Sequence, residues 1–375
     1  MIEISKRIPR SKKLIVTGCL PLINFERLQK EVPFNGIVGP AAGEKIVQIV
    51  KLVSDGETVV ALENTAAVGL PSLSLPRVQS SSVTSIIPIS YGCLGSCAYC
   101  CVVFARGHLR SYDVLDIVKR VRADLDSGLR EFWITSQDTA CYGREKGTHL
   151  AGLLHALCGI HSDFRVRVGM MTPNNVLDIL GELVQAFQDE RIFKFIHLPV
   201  QSGDDEVLKR MRRFYRVDEF KRVVEAFRGS FPDITLATDV ICGFPGETEE
   251  AFQRTLDLLK EVKPDVINVS KFFARPKTAA AEMKNDSVPL SEIKTRSGMA
   301  TVLAKKLSFE NNRRWQGWTG EILVDEVGKV NGSWVGRNFA YKPVVVKSIS
   351  KLDGKIIRAR ITEAFPTYLQ GDIIQ

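Results

Sequence analysis

Strand-like and helix-like segments alternate from residue 83 to residue 272, and this alternation limits the possible folds more than any other feature of the sequence. Four helix-like segments carry apolar residues with helical periodicity, namely YDVLDIVKRVRADLD, NVLDILGELVQAFQ, VDEFKRVVEAFR and TEEAFQRTLDLLKEV. Such an alternation predicts an α/β fold on a parallel sheet, either doubly wound or curled into an open barrel, with ligands at the carboxyl ends of the strands. The six strand-like segments are VTSIIPIS, EFWITS, FRVRVGM, FKFIHLP, ITLATDVICGF and DVINVSKF.

Two further regions flank this alternation. The first has the pattern of a small α/β unit, with a strand in KLIVTGC and helices in NFERLQKEV and EKIVQIVKLVS, and a stretch rich in Ser and Pro follows it. The last segment shows three short strands, GEILVDEV, KPVVVKSI and GKIIRARITEA, between Gly, Asn and Asp turns, which predicts a small all-β barrel of the kind that often binds oligonucleotides. We therefore predict three domains, at residues 1–74, 79–314 and 316–375.

Three cysteines with the spacing C-x3-C-x2-C follow the first strand of the central region. They are Cys93, Cys97 and Cys100, in the glycine-containing segment YGCLGSCAYCC. Structural zinc usually takes two separated pairs of ligands, whereas three thiolates on one short loop suit a 4Fe-4S cluster with one iron left open. We expect the neighbouring Cys101 to lie outside the ligand set, because consecutive side chains point in different directions.

The chain has a net charge of +8, which favours a polyanionic partner. Arginines interleaved with aromatic residues, as in KRMRRFYR and NNRRWQGW, suit RNA phosphates and unstacked bases, although a solvated helix face is the simpler interpretation of each run. The sequence shows no secretory signal or apolar run long enough for a membrane span, so we expect a cytoplasmic monomer. The candidate RNA-binding residues are Arg106, Arg110, Arg212, Arg213, Arg313 and Arg314.

The cysteine spacing and four further segments resemble one enzyme family. The segments are ARGHLRSY, EFWITSQDTACYGRE, HLPVQSGDDEVLKRMRRFY and TDVICGFPGETEEAF. They are similar to the radical S-adenosylmethionine methylthiotransferases that modify tRNA, in the archaeal and eukaryotic branch. The resemblance implies an open (β/α)6 partial TIM barrel, a C-terminal TRAM barrel that holds tRNA, and a 4Fe-4S cluster whose open iron binds S-adenosylmethionine. It further implies that N6-threonylcarbamoyladenosine next to the anticodon becomes its 2-methylthio derivative.

Five more residues are candidates for contact with S-adenosylmethionine. Tyr99 matches the position that the family places against the adenine. We expect Gln137 and Gln201, at strand ends, to hydrogen-bond the ribose or the carboxylate, and Asp239 to bind a hydroxyl. Gly243 would allow the backbone to come close, although simple turn geometry explains this glycine equally well.

Cys19, in VTGC, matches the last of three cysteines that hold a second 4Fe-4S cluster in the family's N-terminal domain. No other cysteine precedes residue 93, so we expect a truncated N-terminal domain that does not assemble the second cluster. The sulfur donor and the electron donor are not identified by the sequence. Three alternatives stay open: a tRNA-binding relative that does not complete methylthiolation, an enzyme for another tRNA adenosine or a ribosomal protein, and a zinc-binding structural protein.

Overall fold

The computed structural model describes residue 5 and residues 7–9, 11–62 and 69–374. Its N-terminal part is a parallel sheet in the order β1-β2-β3. Buried Val16, Leu28 and Ile37 form the core of this unit, because the helix periodicity turns Leu28 toward the sheet. The predicted strand and both predicted helices are confirmed. The elements are β1 (Ile15–Val16), α1 (Leu20–Ile23), α2 (Phe25–Glu31), β2 (Gly36–Val38), α3 (Lys45–Ser54) and β3 (Val59–Ala61).

Six parallel strands form the central region in the order β4-β7-β8-β9-β10-β11. A bridge between Val166 and Ile192 joins the first three strands to the last three. Within the described residues β4 and β11 do not pair, so the barrel is open along one side, as predicted. A short hairpin of β5 and β6 follows β4. The strands are β4 (Thr84–Pro88), β5 (Ser90–Tyr91), β6 (Arg110–Ser111), β7 (Glu131–Thr135), β8 (Arg165–Val168), β9 (Phe195–His197), β10 (Thr235–Cys242) and β11 (Val266–Lys271).

Helices cover the outside of these strands and bury one large apolar core, which includes Phe132, Val166 and Phe227. One predicted helix is in fact two, because the chain turns at Asp178 and Ile179. The prediction missed α6 and the long α12. Within the described residues, no helix combines the length and hydropathy that a membrane span requires. The helices are α4 (Val102–Arg106), α5 (Val114–Asp126), α6 (Leu150–Cys158), α7 (Pro173–Leu177), α8 (Leu180–Ala186), α9 (Asp205–Arg210), α10 (Val217–Ser230), α11 (Glu249–Val262) and α12 (Leu290–Arg313).

The C-terminal segment forms a closed five-stranded barrel in the order β12-β13-β14-β16-β15. Alternate residues of its strands, such as Ile322, Val324 and Ile361, fill the interior. The predicted barrel is confirmed, although its sequence pattern revealed only three of the five strands. The strands are β12 (Thr319–Val327), β13 (Ser333–Arg337), β14 (Pro343–Lys347), β15 (Ile356–Ala364) and β16 (Leu369–Ile373).

This small barrel packs against the amino ends of the central strands. Lys342 Nζ lies 2.7 Å from Asp265 Oδ1, directly before β11, and donates to Asn312 Oδ1 at 3.1 Å. Tyr341 packs between Phe193 and Phe195 at the start of β9. The carboxyl ends of the strands, where the cysteine segment follows β4, therefore lie at the other end of the central barrel. The domain boundaries stay a prediction, and the parts of the predicted domains at residues 1–4, 6, 10, 63–68 and 375 lie outside the described residues.

Candidate active site

The loop from residue 93 to residue 100, here called the cysteine loop, brings the three predicted ligands together. Cys93, Cys97 and Cys100 are half-buried free thiols. Gly95 donates its N–H to Cys93 Sγ at 3.2 Å. A Cβ on Gly95 would lie 3.3 Å from Cys93 Sγ and 3.6 Å from Cys97 Sγ, so the absence of a side chain leaves a cradle open between two thiols.

This donor set fits an iron–sulfur cluster, whose natural ligands are cysteine thiolates. Within the described residues, no group of three His, Cys, Asp or Glu side chains converges on a position for a single metal ion. A 4Fe-4S cluster does not need such convergence, because each thiolate binds a different iron. Burial raises the pKa of Cys93 to about 11 and also raises that of Cys100. Metal binding would have to compensate this cost, because only the thiolate is a ligand.

Neighbouring segments fix the shape of the cysteine loop. Gly92 donates its N–H to Gln137 Oε1 at 2.8 Å, so this Gln137 oxygen is used within the protein. Tyr99 packs its ring edge-on against Phe244, with the centroids 6.4 Å apart. Asp138 accepts hydrogen bonds from the Ala140 and Thr172 N–H groups and from Asn175 Nδ2, so its carboxylate caps the short helical turn at Thr139–Cys141.

Gln201 and Asp239 lie together at the carboxyl half of the strands. Gln201 is buried with a positive φ of 68°, and its N–H donates to the Asp239 backbone oxygen. Asp239 Oδ1 lies 2.9 Å from His197 Nε2 and accepts from Asn268 Nδ2 at 2.7 Å. Burial opposes the charge of Asp239, but these hydrogen bonds outweigh it and lower the pKa of the carboxyl. Sequence reasoning had not singled out His197, although it begins the segment HLPVQSGDD.

Gly243 begins the turn after β10 with a φ of +79°. A Cβ at this position would lie 2.3 Å from Ile293 on α12, so the close approach of that helix requires glycine. The Gly243 N–H donates to Glu247 Oε2 at 2.7 Å, and the same oxygen pairs with buried Arg296 at 2.9 Å. The sequence analysis did not predict this ion pair, since Arg296 lies 49 residues further along the chain.

The structure brings Cys19 to the cysteine-loop end of the barrel. Arg106, on α4 directly after the loop, donates from Nε to Cys19 Sγ at 3.3 Å and lies over the Tyr91 ring. Cys101 is buried, with Arg275 Nη1 at 3.7 Å from its sulfur. A groove of about 620 Å³ lies beside these residues, and its lining includes Leu20, Leu28, Phe273 and Arg275.

The six candidate RNA-binding arginines do not form one surface. Arg212 is exposed, whereas Arg110 Nη2 is buried and has no hydrogen-bond partner among the described groups. Arg313 and Arg314 are exposed near the junction with the C-terminal barrel. The guanidinium of Arg213 contacts Cys97 and Tyr215, which favours a role beside the cysteine loop over the predicted contact with RNA.

Comparison with known proteins agrees with this architecture. Residues 87–259 match the Radical SAM superfamily and residues 313–374 match the TRAM domain. A radical S-adenosylmethionine methyltransferase, TsrM from Kitasatospora setae, shares the fold with a TM-score of 0.52 at 15% identity, over 72% of this chain and 57% of that one.

Relatives in sequence are much closer. A Pyrococcus horikoshii protein described as a probable threonylcarbamoyladenosine tRNA methylthiotransferase is 41% identical over 372 residues, which cover 99% of this chain and 86% of the relative. The Homo sapiens threonylcarbamoyladenosine tRNA methylthiotransferase is 33% identical, over 98% of this chain and 64% of the relative. The chain therefore belongs to the threonylcarbamoyladenosine tRNA methylthiotransferase family, within the Radical SAM superfamily.

Proposed function

We propose that this chain converts N6-threonylcarbamoyladenosine, next to the anticodon of tRNA, to its 2-methylthio derivative. The observation that carries the proposal is the cysteine loop, with three half-buried thiols after the first strand of an open (β/α)6 barrel. Family membership supports the choice of substrate, since the relatives named for this activity match nearly the whole chain. A C–H bond at C2 of adenine is inert toward polar chemistry, so radical chemistry suits the reaction.

In this proposal Cys93, Cys97 and Cys100 hold a 4Fe-4S cluster. When bound, the cluster supplies the electron that cleaves the sulfonium of S-adenosylmethionine to methionine and a 5'-deoxyadenosyl radical. The protein residues bind, orient and shield the reactants. Gly95 leaves the space between two thiols open, and Gln137 fixes the start of the loop through the Gly92 N–H.

The remaining candidates would bind S-adenosylmethionine. Tyr99 is the proposed contact to the adenine, held by its packing against Phe244. Asp239 keeps a carboxylate beside His197, which suits the binding of ribose hydroxyls. Gln201 lies beside Asp239. Gly243, which has no side chain, would let the backbone of the turn after β10 come close to S-adenosylmethionine. The hydrogen bond from the Gly92 N–H occupies Gln137 Oε1. The amide nitrogen of Gln137 therefore stays available to bind S-adenosylmethionine.

RNA would approach the same end of the barrel. Arg106, Arg110 and Arg212 lie around the cysteine loop, and the exposed rings of Phe214 and Phe273 offer surfaces on which unstacked bases can stack. The TRAM barrel, with Arg313 and Arg314 near its start, would hold another part of the tRNA. Electrostatic attraction to phosphates follows from the net charge of +8.

One alternative has an observation in its favour. Cys19 is the only cysteine before residue 93, and three thiolates are needed to hold a second cluster in the way the family does. The alternative is a tRNA-binding radical protein that cleaves S-adenosylmethionine without completing methylthiolation. The electron donor is unidentified in both cases, as is the sulfur donor that methylthiolation requires.

The proposal is tested by anaerobic reconstitution with iron and sulfide, followed by iron counting. We expect about four irons per chain, because a single set of three cysteines holds one 4Fe-4S cluster. The Cys97→Ala variant should lose the cluster. Cys101→Ala is the matched control, because it makes the same change in the same segment outside the ligand spacing, and it should keep the iron. A chain that binds zinc and no iron would overturn the enzyme assignment, and about eight irons would show that a second cluster does assemble.

The substrate is tested by nucleoside analysis of tRNA. A strain that lacks the gene should lose 2-methylthio-N6-threonylcarbamoyladenosine and accumulate its unmodified precursor. Expression of the wild-type chain should restore the product, and Cys97→Ala should not. A strain with unchanged product would contradict the substrate assignment, and loss without restoration would favour the alternative that cleaves S-adenosylmethionine unproductively.

A further inference from the structure

Arg213 lies in the turn after α9, with its guanidinium directed at the cysteine loop. Nη1 donates to Cys97 Sγ at 3.4 Å, and Nη2 donates to the Pro199 backbone oxygen at 3.2 Å. Nε donates to the Tyr215 hydroxyl at 3.2 Å, and the guanidinium lies over the Tyr215 ring. All three nitrogens are therefore used, and none of the acceptors is a carboxylate.

This cation lacks a close counter-charge among the described groups. Its strongest electrostatic partners are Tyr215, Tyr99 and Cys97, all neutral in their ordinary protonated forms. The carboxylate of Asp239 is hydrogen-bonded to His197 and Asn268 instead. Arg213 is half-buried, and because arginine does not lose its proton in proteins, its partly desolvated charge is permanent. Keeping such a charge without an anion costs stability, which indicates that an anion binds beside it.

The position of the charge identifies that anion. Cys97 is the one thiol of the cysteine loop that receives a hydrogen bond from a charged donor, whereas Cys93 receives one from the neutral Gly95 N–H. Each cysteine that binds iron becomes a thiolate and adds a negative charge, and reduction adds one more electron to the cluster. A fixed cation therefore stabilises the loaded loop, and it stabilises the reduced state more than the oxidised state.

We propose that Arg213 is a positioning residue that holds the Cys97 thiolate and raises the reduction potential of the cluster. The inference rests on the proposed function, because it requires a cluster on the three thiolates. Reduction by an external electron donor adds one electron and changes no covalent bond. Hydrogen bonds to the sulfurs and net charge are the two properties through which proteins tune such potentials, and Arg213 supplies both at one sulfur.

The test compares Arg213→Lys and Arg213→Met with the wild-type protein after anaerobic reconstitution. The midpoint potential is measured by a redox titration followed by electron paramagnetic resonance, without S-adenosylmethionine. We expect Arg213→Met to shift the potential to more negative values. Arg213→Lys, which keeps the charge but loses the planar fork, should fall between the two. Arg216→Met is the matched control, because this nearby arginine is exposed and pairs with Asp205, and its potential should equal that of the wild type.

Equal potentials in wild type and Arg213→Met would overturn the inference. If Arg213→Met takes up no iron while Arg213→Lys does, the positive charge is confirmed as the requirement for loading. If neither variant takes up iron, the shape of the arginine is the requirement and the inference is wrong. Failure of the proposed function gives a different result, since the wild-type chain itself would then bind no iron.

Discussion

Lys342 and Arg213 lie at opposite ends of the central barrel, and their positive charges are compensated in different ways. At the amino ends, Lys342 is 4% exposed and lies 2.7 Å from Asp265, which is 3% exposed. Arg337 pairs there with buried Asp325 at 2.8 Å. At the carboxyl ends, Arg213 has only neutral hydrogen-bond acceptors and a thiol.

This difference separates a permanent interface from a ligand site. The Lys342–Asp265 ion pair fixes the TRAM barrel to the base of the central barrel, Arg337–Asp325 lies within the TRAM barrel, and no ligand is needed to neutralise either pair. A cation without a carboxylate partner, beside three half-buried thiols, leaves its neutralisation to a bound anion. Charge compensation within the chain thus distinguishes the site of Lys342 from that of Arg213, and buried Arg296 at the carboxyl end, which pairs with Glu247, resembles Lys342 in this respect.

The largest expected effect comes from removing the anion at the base. Asp265→Ala leaves Lys342 buried without its carboxylate and removes the acceptor of the Leu236 N–H. Breaking a buried ion pair in this way costs about 3–5 kcal/mol of the free energy of unfolding. The measurement is denaturant unfolding of the iron-free protein. Glu261→Ala, which breaks the exposed pair with Lys221, is the control and should cost at most about 1 kcal/mol. Similar losses in both variants would show that the base pair is no more structural than a surface pair.

A pH dependence of somewhat smaller size should arise at the same base. Burial raises the pKa of Glu131 to about 7, and nearby Asp325, whose own pKa burial raises, adds to this shift. Because the folded pKa lies above the unfolded value of 4.5, the stabilisation is complete below pH 4.5 and is lost as the pH rises through about 7. The loss amounts to about 3 kcal/mol over this window.

Glu131→Gln removes this titration while keeping the shape of the side chain. We expect the stability of the variant relative to wild type to increase by about 3 kcal/mol between about pH 5 and about pH 8. The measurement is denaturant unfolding at a series of pH values. Glu321→Gln, an exposed change at the barrel surface, should show no such trend. A constant difference between Glu131→Gln and wild type would mean that Glu131 does not titrate in this window.

Local patterns predicted the fold well, because the periodicity of apolar residues and the residues that form turns can both be recognised within short segments of the sequence. The strands β4 and β7–β11, the cysteine spacing and the small barrel all follow from such segments. The prediction missed α12 because its exposed face carries apolar residues, such as Val302 and Phe309, among the polar ones. The apolar residues of this segment therefore do not show a clear helical period. The contacts of Arg213 with Cys97 and of Arg296 with Glu247 join residues 116 and 49 positions apart, and no local pattern encodes them. The run KRMRRFYR correctly predicted a cluster of positive charge. Only the packing of the folded chain shows that Arg213 is the arginine directed at the cysteine loop.

The smallest expected effect returns to the other end of the barrel. Arg213→Met in the iron-free protein should change the free energy of unfolding by no more than about 1 kcal/mol, because it removes a half-buried cation without stranding a carboxylate. The Tyr215 hydroxyl and the Pro199 oxygen keep a partner, since the single hydroxyl proton lies between the Pro199 oxygen at 3.0 Å and the Val200 oxygen at 2.8 Å. The measurement is the same denaturant unfolding used for Asp265→Ala. A loss as large as that of Asp265→Ala would make Arg213 a structural residue of the folded chain, and the contrast between the two ends of the barrel would disappear. A small loss, together with a lowered reduction potential, would assign the charge of Arg213 to the bound cluster.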